Sequence, residues 1–292
     1  MAGRGEVTQV IDFPCIITDN KDRVICWYLP EVLDPDVQEL QKSTAKPLET
    51  AAKGPVSWRR DAQYFRRPSE SIIPPGTITF APVWHQPGHP HPKYQPVEGA
   101  SWRSFRQTDR FDEWLDDMNP LMWAMFSMAC LCHGAQLAAF YRSYMALREQ
   151  DEKFEDAYEK WDWPSHGLAL IANRQTPFHR DRKTSLGMYD TIATCGRYAD
   201  GDFAIEELGI RLRYKPGTLI TIAGGMLRHA AETGEGERVA AVCFMREELM
   251  HATGVEIPFL TSMEVLKEDA EHWIRSACEP PADDSDSEKE IE

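Results

Sequence analysis

Phe178-His179-Arg180-Asp181 sets an imidazole and a carboxylate two residues apart. In an extended chain residues i and i+2 project from the same face, so both side chains can bind one ion. A third donor, His229, follows fifty residues later, just beyond an apolar run at 218–222 and a Gly224-Gly225 turn. Two histidines and one carboxylate form a facial set that leaves metal positions open for a cosubstrate and oxygen. Nitrogen and oxygen donors without thiolate suit non-haem Fe(II) better than structural zinc. Each piece alone has a plainer reading: a surface turn for His-x-Asp, a core histidine for His229. Arg238, nine residues after His229 at the start of an apolar strand, separates the two. A buried guanidinium requires an anion, and its fork matches a carboxylate bidentately. A dicarboxylic acid that chelates the metal at one end and is gripped by Arg238 at the other meets both demands. 2-Oxoglutarate is such an acid.

These residues need a scaffold that brings distant strands together, and the second half of the chain reads as one. Short apolar runs at 168–172, 185–195, 203–208, 210–214, 218–222 and 238–245 alternate with turn signals at Asp200-Gly201, Pro216-Gly217 and Gly224-Gly225. Many short strands in series predict a barrel or jelly roll, with helices packed outside it. Upstream, 7–18 and 23–29 are β-rich runs around Asp19-Asn20-Lys21-Asp22, and 35–53 is amphipathic and helical. Residues 54–110 read as irregular and proline-rich, followed by helices over 111–130 and 137–161. The stretch 121–141 lacks formal charge and nearly reaches membrane-spanning length, but it contains Ser127, His133, Gly134 and Gln136 without a flanking basic cluster. A buried helix is the better reading, and no membrane partner is expected.

The order His179-x-Asp181, Gly201, Lys215-Pro216-Gly217-Thr218-Leu219, His229, Arg238 resembles the Fe(II)/2-oxoglutarate dioxygenases. More narrowly, it is similar to the compact TET/base-J type of nucleic-acid oxygenase. The resemblance extends to Val24-Ile25-Cys26-Trp27-Tyr28-Leu29-Pro30 leading into a helix, and is strongest over 167–247. It implies an α+β fold with a double-stranded β-helix (jelly-roll) core flanked by N-terminal helices. It implies iron ligands His179, Asp181 and His229, with Arg238 holding the distal carboxylate of 2-oxoglutarate. Arg174 matches an arginine that some relatives turn toward the cosubstrate; a phosphate contact or surface charge is the rival reading. Phe244 matches the aromatic on which a flipped base stacks, with plain core packing as its rival. Two positions depart from the cytosine-specific pattern: Arg246 replaces a base-contacting histidine, and Thr184 replaces Asn or Asp. Asp190, a lone acid in an apolar run, is either a base-edge acceptor or the partner of a core arginine.

The implied activity is oxidation of the methyl group of 5-methylcytosine in DNA to the hydroxymethyl base, and onward to the formyl and carboxyl bases. The same chemistry on N6-methyladenine, thymine, a small molecule or a protein side chain is the alternative, and a binder of modified DNA with a dead iron site is a third. The arrangement implied is one catalytic domain over 1–278. Within it lie the N-terminal hairpin and helix (1–53), a DNA-contacting region (54–110), helical support (111–166), the β core (167–250) and a C-terminal segment (251–278). An acidic disordered tail (279–292) follows. Arginines interleave with aromatics in Trp58-Arg59-Arg60, Tyr64-Phe65-Arg66-Arg67, Trp102-Arg103 and Phe105-Arg106, as suits a nucleic-acid groove. A loop pinned to the core by its rings is the other reading.

The chain's 292 residues carry a net charge of −15, which excludes coating nucleic acid through bulk charge but not a local basic cleft. Seven acids and one lysine fall in its last fourteen residues. Seven irregularly spaced cysteines and no signal peptide read as a reduced, intracellular protein. Nuclear location follows only from the expected substrate, and a monomer without an obligate protein partner is expected. Two histidine and cysteine groupings are decoys: His85, His89 and His91 lie in a proline-rich loop, and Cys130-Leu131-Cys132-His133 lies in the most apolar helix.

Overall fold

The computed structural model describes residues 9–50, 61–85, 92–181, 184–199, 201–232 and 234–278. Strands β1 (Gln9–Ile11), β2 (Cys15–Thr18) and β3 (Val24–Leu29) precede two short helices, α1 (Pro35–Gln38) and α2 (Gln41–Ala45). Next come β4 (Gly76–Phe80), a small ribbon of β5 (Val83–Trp84) and β6 (Val97–Glu98), and helix α3 (Ala100–Arg106). Helices α4 (Phe111–Gln150) and α5 (Glu152–Tyr158) lead into β7 (Gly167–Ala172), β8 (Thr176–His179), β9 (Asp190–Ala199), β10 (Asp202–Ile205) and β11 (Ile210–Arg213). Then follow β12 (Leu219–Ile222), β13 (His229–Ala231), β14 (Glu235–Phe244), α6 (Glu247–Thr253) and α7 (Met263–Cys278).

The strands form a large antiparallel sheet, ordered β2-β3-β12-β9-β14-β7-β4, and a smaller one, ordered β1-β11-β10-β13-β8. Side-chain alternation decides what lies between them. On β14, Ala240 and Val242 point inward to Ile192, Phe203, Leu212, Tyr214 and Ile220. The intervening Ala241 and Cys243 point outward, onto a helical layer built around Trp114, Met125 and Phe140. The result is the expected α+β fold with a jelly-roll core and helices outside.

Several elements differ from the sequence expectation. The run 7–18 splits between sheets: β1 pairs parallel with β11, while β2 pairs antiparallel with β3. The break falls at Asp12-Phe13-Pro14, where proline has no amide to donate to a ladder. The expected helix over 35–53 is broken into α1, α2 and a tighter turn at Lys46–Thr50 that carries Pro47. Within the supposedly irregular stretch, β4 closes the edge of the large sheet along β7. The two expected helices are the two halves of α4, which meet directly at a kink where His133 has non-helical backbone (φ −154, ψ 52), and the second ends at Gln150 with α5 following as a separate helix. Long and apolar enough to cross a membrane by length and composition, α4 instead buries Leu121, Met125 and Met128 in the core.

Trp102 anchors that helical layer. It is fully buried, packs edge-on against Phe80, Phe111 and Trp161 with centroids 5.0–5.7 Å away, and donates from Nε1 to Ala157 O at 2.7 Å. Trp102→Ala empties this volume and orphans a buried carbonyl, so a loss of about 4 kcal/mol in unfolding free energy is expected. Urea denaturation measures it, and a loss under about 1 kcal/mol would show that the layer closes without the indole.

Candidate active site

The metal donors meet because of strand register. β8 and β13 are antiparallel neighbours, and His179 is the cross-strand partner of His229. Directly opposed residues on one sheet face hold their side chains within contact distance; here the ring centroids are 4.4 Å apart. Asp181 lies two residues beyond His179, its amide donating to Gly224 O at 2.9 Å, so the turn after β12 holds the carboxylate against both rings. His179 Nε2 is 3.5 Å from Asp181 Oδ1, and His229 Nε2 is 3.4 Å from Asp181 Oδ2. All three donor atoms fall within 4.8 Å of one another, and they are the one such group among the described residues.

The outer nitrogens settle the tautomers. His179 Nδ1 sits 3.0 Å from Pro177 O and 3.1 Å from His229 O, and His229 Nδ1 sits 3.0 Å from Leu227 O. A nitrogen facing carbonyl oxygens carries a proton, so Nε2 is the ring nitrogen that each histidine turns toward Asp181. Burial lowers the His229 pKa, opposed by the Asp181 charge, and Phe203 stacks on the ring at 5.3 Å. Two imidazole nitrogens and a carboxylate within 4.8 Å of one another fit Fe(II) as a donor set.

Arg238 lies on β14 in the other sheet, on the same strand face as the inward-pointing Ala240 and Val242. It is buried, its Nη2 donates to Arg174 O at 2.8 Å, and its Nη1 donates to Glu232 O. Tyr214 and Tyr198 flank the guanidinium at 5.0 and 5.7 Å. Gly201 keeps the space clear, since a Cβ there would lie 3.2 Å from Nη1. Arg174 is also buried, over the Phe65 ring at 5.8 Å. Both arginines line a cavity of ≈ 420 Å³ together with Tyr64, Phe65, Arg66 and Glu235.

Further along β14, the Phe244 ring packs against Gly167, its cross-strand partner; a Cβ on that glycine would sit 2.4 Å from the ring. Arg246 is buried over Trp84 at 4.2 Å and near Phe244 at 5.9 Å, with its amide donating to His166 Nδ1. Thr184 donates its amide to Asp181 O at 3.0 Å, on the loop that follows the metal motif. Asp190 is buried at the start of β9 and points inward toward Gly224.

The arginine-rich segment divides. Arg66 donates to Gly236 O and lies 3.8 Å from Glu237, which ties the segment to β14. Arg103 and Arg106 pair with Glu98, and Arg106 also with Asp156. Arg67 is the outward member, largely exposed, with Glu70 at 3.7 Å. Arg59, Arg60, Arg182, Lys183, His89, His91 and the acidic tail lie outside the described residues. His85 is buried with Nε2 3.1 Å from Tyr94 O, and Cys132 is buried beside Met128 Sδ.

Residues 111–247 match the sequence model of the Tet_JBP family, the oxygenase domain of the 2OGFeDO superfamily. Over that stretch the chain is similar to a Tet/JBP oxygenase domain. Fe(II) and 2-oxoglutarate are the cofactors of that superfamily, and the donor set here fits the metal. The fold is similar to that of NgTET1 in complex with 5mC DNA, with a TM-score of 0.57 at 13% identity over 91% of this chain and 88% of that one. A 2OG-Fe(II) oxygenase family oxidoreductase from Burkholderia pseudomallei aligns at 12% identity and a TM-score of 0.30, over 60% of this chain and 70% of that one. JOX2 in complex with 2OG, Fe and JA aligns at 12% identity and a TM-score of 0.32, over 82% and 71%. No curated protein matches the chain by sequence.

Sequence reasoning passed over the residues that hold the site in place. Gln136 and His133 in α4 bond β9 beside Asp190 (Gln136 Nε2 to Tyr189 O 2.9 Å; His133 Nε2 to Thr191 Oγ1 3.2 Å). The available signal was their polarity inside an uncharged helix. Burial lowers His133 to about 4 and His166 to about 3, so both rings are neutral at physiological pH. Trp84, under Arg246, sat in a segment whose prolines masked it.

Proposed function

We propose that this Tet/JBP-like domain oxidises the methyl group of 5-methylcytosine in DNA, giving the hydroxymethyl base and, by repetition, the formyl and carboxyl bases. The observation that carries the reading is the inner face of β14. Arg238 stands at one end and Phe244 at the other, with the small residues Ala240 and Val242 between them. Six residues of strand span about 20 Å, room for a cosubstrate and a flat ring end to end. Similarity to a fold solved with 5mC DNA supports the same reading.

With 2-oxoglutarate and oxygen, bound Fe(II) supplies the oxidation that splits the cosubstrate to succinate and CO2 and places one oxygen atom on the substrate C–H. His179, Asp181 and His229 would hold the metal, a three-residue donor set that would leave positions for cosubstrate and oxygen. Arg238 orients the distal carboxylate, and the two tyrosine faces beside it keep water from the guanidinium. A methyl carbon inside a duplex cannot approach a barrel interior, so the base must leave the stack. Phe244 offers a face for it. Arg246, held over Trp84, offers in-plane N–H donors suited to the O2 and N3 acceptors of cytosine. We assign the activity to a single chain acting in the nucleus.

The test is incubation with Fe(II), 2-oxoglutarate and oligonucleotides carrying 5-methylcytosine, N6-methyladenine or thymine, followed by nucleoside mass spectrometry with His179→Ala as control. Hydroxymethylcytosine is the expected product. Product on another base alone would move the assignment within nucleic acid, and no product on any base would leave a small-molecule or protein substrate.

A further inference from the structure

The metal site contains a fourth acidic group. Asp190 opens β9, paired with Ile222 of β12, and its carboxylate points into the turn that carries Gly224. A Cβ on Gly224 would lie 2.5 Å from Asp190 Oδ2, 2.7 Å from Asp181 Oδ2 and 3.5 Å from His229 Cε1. The two carboxylate oxygens are therefore no farther apart than 5.2 Å, the sum 2.5 + 2.7. Asp190 is 3% exposed and the Asp181 side chain 24%, so water reaches the pair only from the Asp181 side.

The fold fixes this approach. Gln136 bonds both sides of the Tyr189 peptide: its Nε2 donates to Tyr189 O at 2.9 Å, and its Oε1 accepts from Tyr189 N at 2.7 Å. The Tyr189 hydroxyl donates to Val24 O at 2.8 Å. On the other flank Thr191 Oγ1 lies 3.2 Å from both Thr221 Oγ1 and His133 Nε2. With both neighbours held, Asp190 cannot swing away by moving its backbone, and the bare Cα of Gly224 is what admits two carboxylates side by side.

We infer that Asp190 is a positioning residue of the metal centre: a second carboxylate, outside the three ligands, whose charge stabilises a divalent cation bound beside Asp181. The inference rests on the metal reading and is independent of the base proposed as substrate. Its charge acts in opposite directions on the two ligands of the site, favouring the cation and opposing the dianionic cosubstrate. A merely structural aspartate would, when replaced, weaken both together.

The experiment is anaerobic equilibrium dialysis of Fe(II) against wild type and Asp190→Asn, then titration of 2-oxoglutarate into the metal-loaded proteins, with melting curves before and after metal. Asp190→Asn is expected to weaken Fe(II) binding about 10- to 100-fold, the range seen when outer partners of metal sites are removed. The cosubstrate should bind the loaded variant at least as tightly as wild type. The metal-free variant should melt at or above wild type, because a like-charge contact is gone, and should gain less on metal addition. An Fe(II) Kd within about threefold of wild type, or parallel weakening of both ligands with a lower metal-free melting point, overturns the inference. If Asp190→Asn does not fold, Asp190→Ser carries the same measurements. A wild type that binds no Fe(II) would instead sink the metal reading itself.

Discussion

Asp181→Ala is expected to lose Fe(II) binding and to lower 2-oxoglutarate turnover at least about 1,000-fold, ~4 kcal/mol on the barrier. Asp181 supplies the one anionic ligand and touches both imidazoles, at 3.5 and 3.4 Å. Without it two neutral nitrogens remain, and they cannot offset the desolvation of a divalent ion. Its backbone role survives the substitution, because the bond to Gly224 O comes from the amide and not from the side chain. The variant should therefore fold, with melting unchanged or raised in the absence of metal. His179→Ala and His229→Ala should lose metal similarly, but His229 is also stacked on Phe203 inside the core, so that variant should lose stability as well. Dialysis against Fe(II) and a succinate assay measure the outcome. An Asp181→Ala protein that keeps Fe(II) within a few-fold of wild type would dismiss these three residues as the metal ligands.

How far the site was legible from sequence follows from which forces shape each part. His179, Asp181, His229 and Arg238 could be read because coordination chemistry restricts residue type and strand geometry restricts spacing. The long strands β7, β9 and β14 could be read because their runs are apolar and bounded by turns. β8 and β13, which carry the two histidines, could not: they have four and three residues, and one contains Pro177. Their existence is a tertiary fact, since each is completed by the other's hydrogen bonds. The same holds for the splitting of β1 from β2 and for β4, which becomes a strand by lying along β7. Polar side chains that act by holding backbone, such as Gln136 and Asn173, leave no periodic mark. Asn173 Oδ1 accepts from the Arg238 amide at 2.9 Å, yet in sequence it is one more asparagine in a turn. Arginines beside aromatics suggest a nucleic-acid groove, and the sequence does not show that Arg66, Arg103 and Arg106 are also engaged with carboxylates or carbonyls of this chain.

Arg238→Ala should raise the KM for 2-oxoglutarate about 100-fold or more while leaving Fe(II) affinity near wild type, because charge-assisted bidentate bonds are among the strongest available to a carboxylate. A guanidinium has five N–H donors; one goes to Arg174 O and one to Glu232 O, and the planar fork that remains matches a carboxylate. The two carbonyl bonds fix its direction, so the arginine is pre-set before the cosubstrate arrives and little rotamer entropy is lost on binding. Lysine cannot reproduce this, having one point charge to divide among two carbonyls and an anion, so Arg238→Lys should fall close to alanine rather than to wild type. Alanine also leaves Arg174 O and Glu232 O without these bonds, which costs stability of about 1–3 kcal/mol. A loss of activity from misfolding is separated by selectivity. Wild type should prefer 2-oxoglutarate over a 2-oxo acid of equal length with a methyl in place of the distal carboxylate, and Arg238→Ala should lose about 100-fold of that preference in kcat/KM. Partial unfolding scales both cosubstrates equally and leaves the ratio untouched. A preserved ratio would therefore mean that the distal carboxylate is held by a residue other than Arg238.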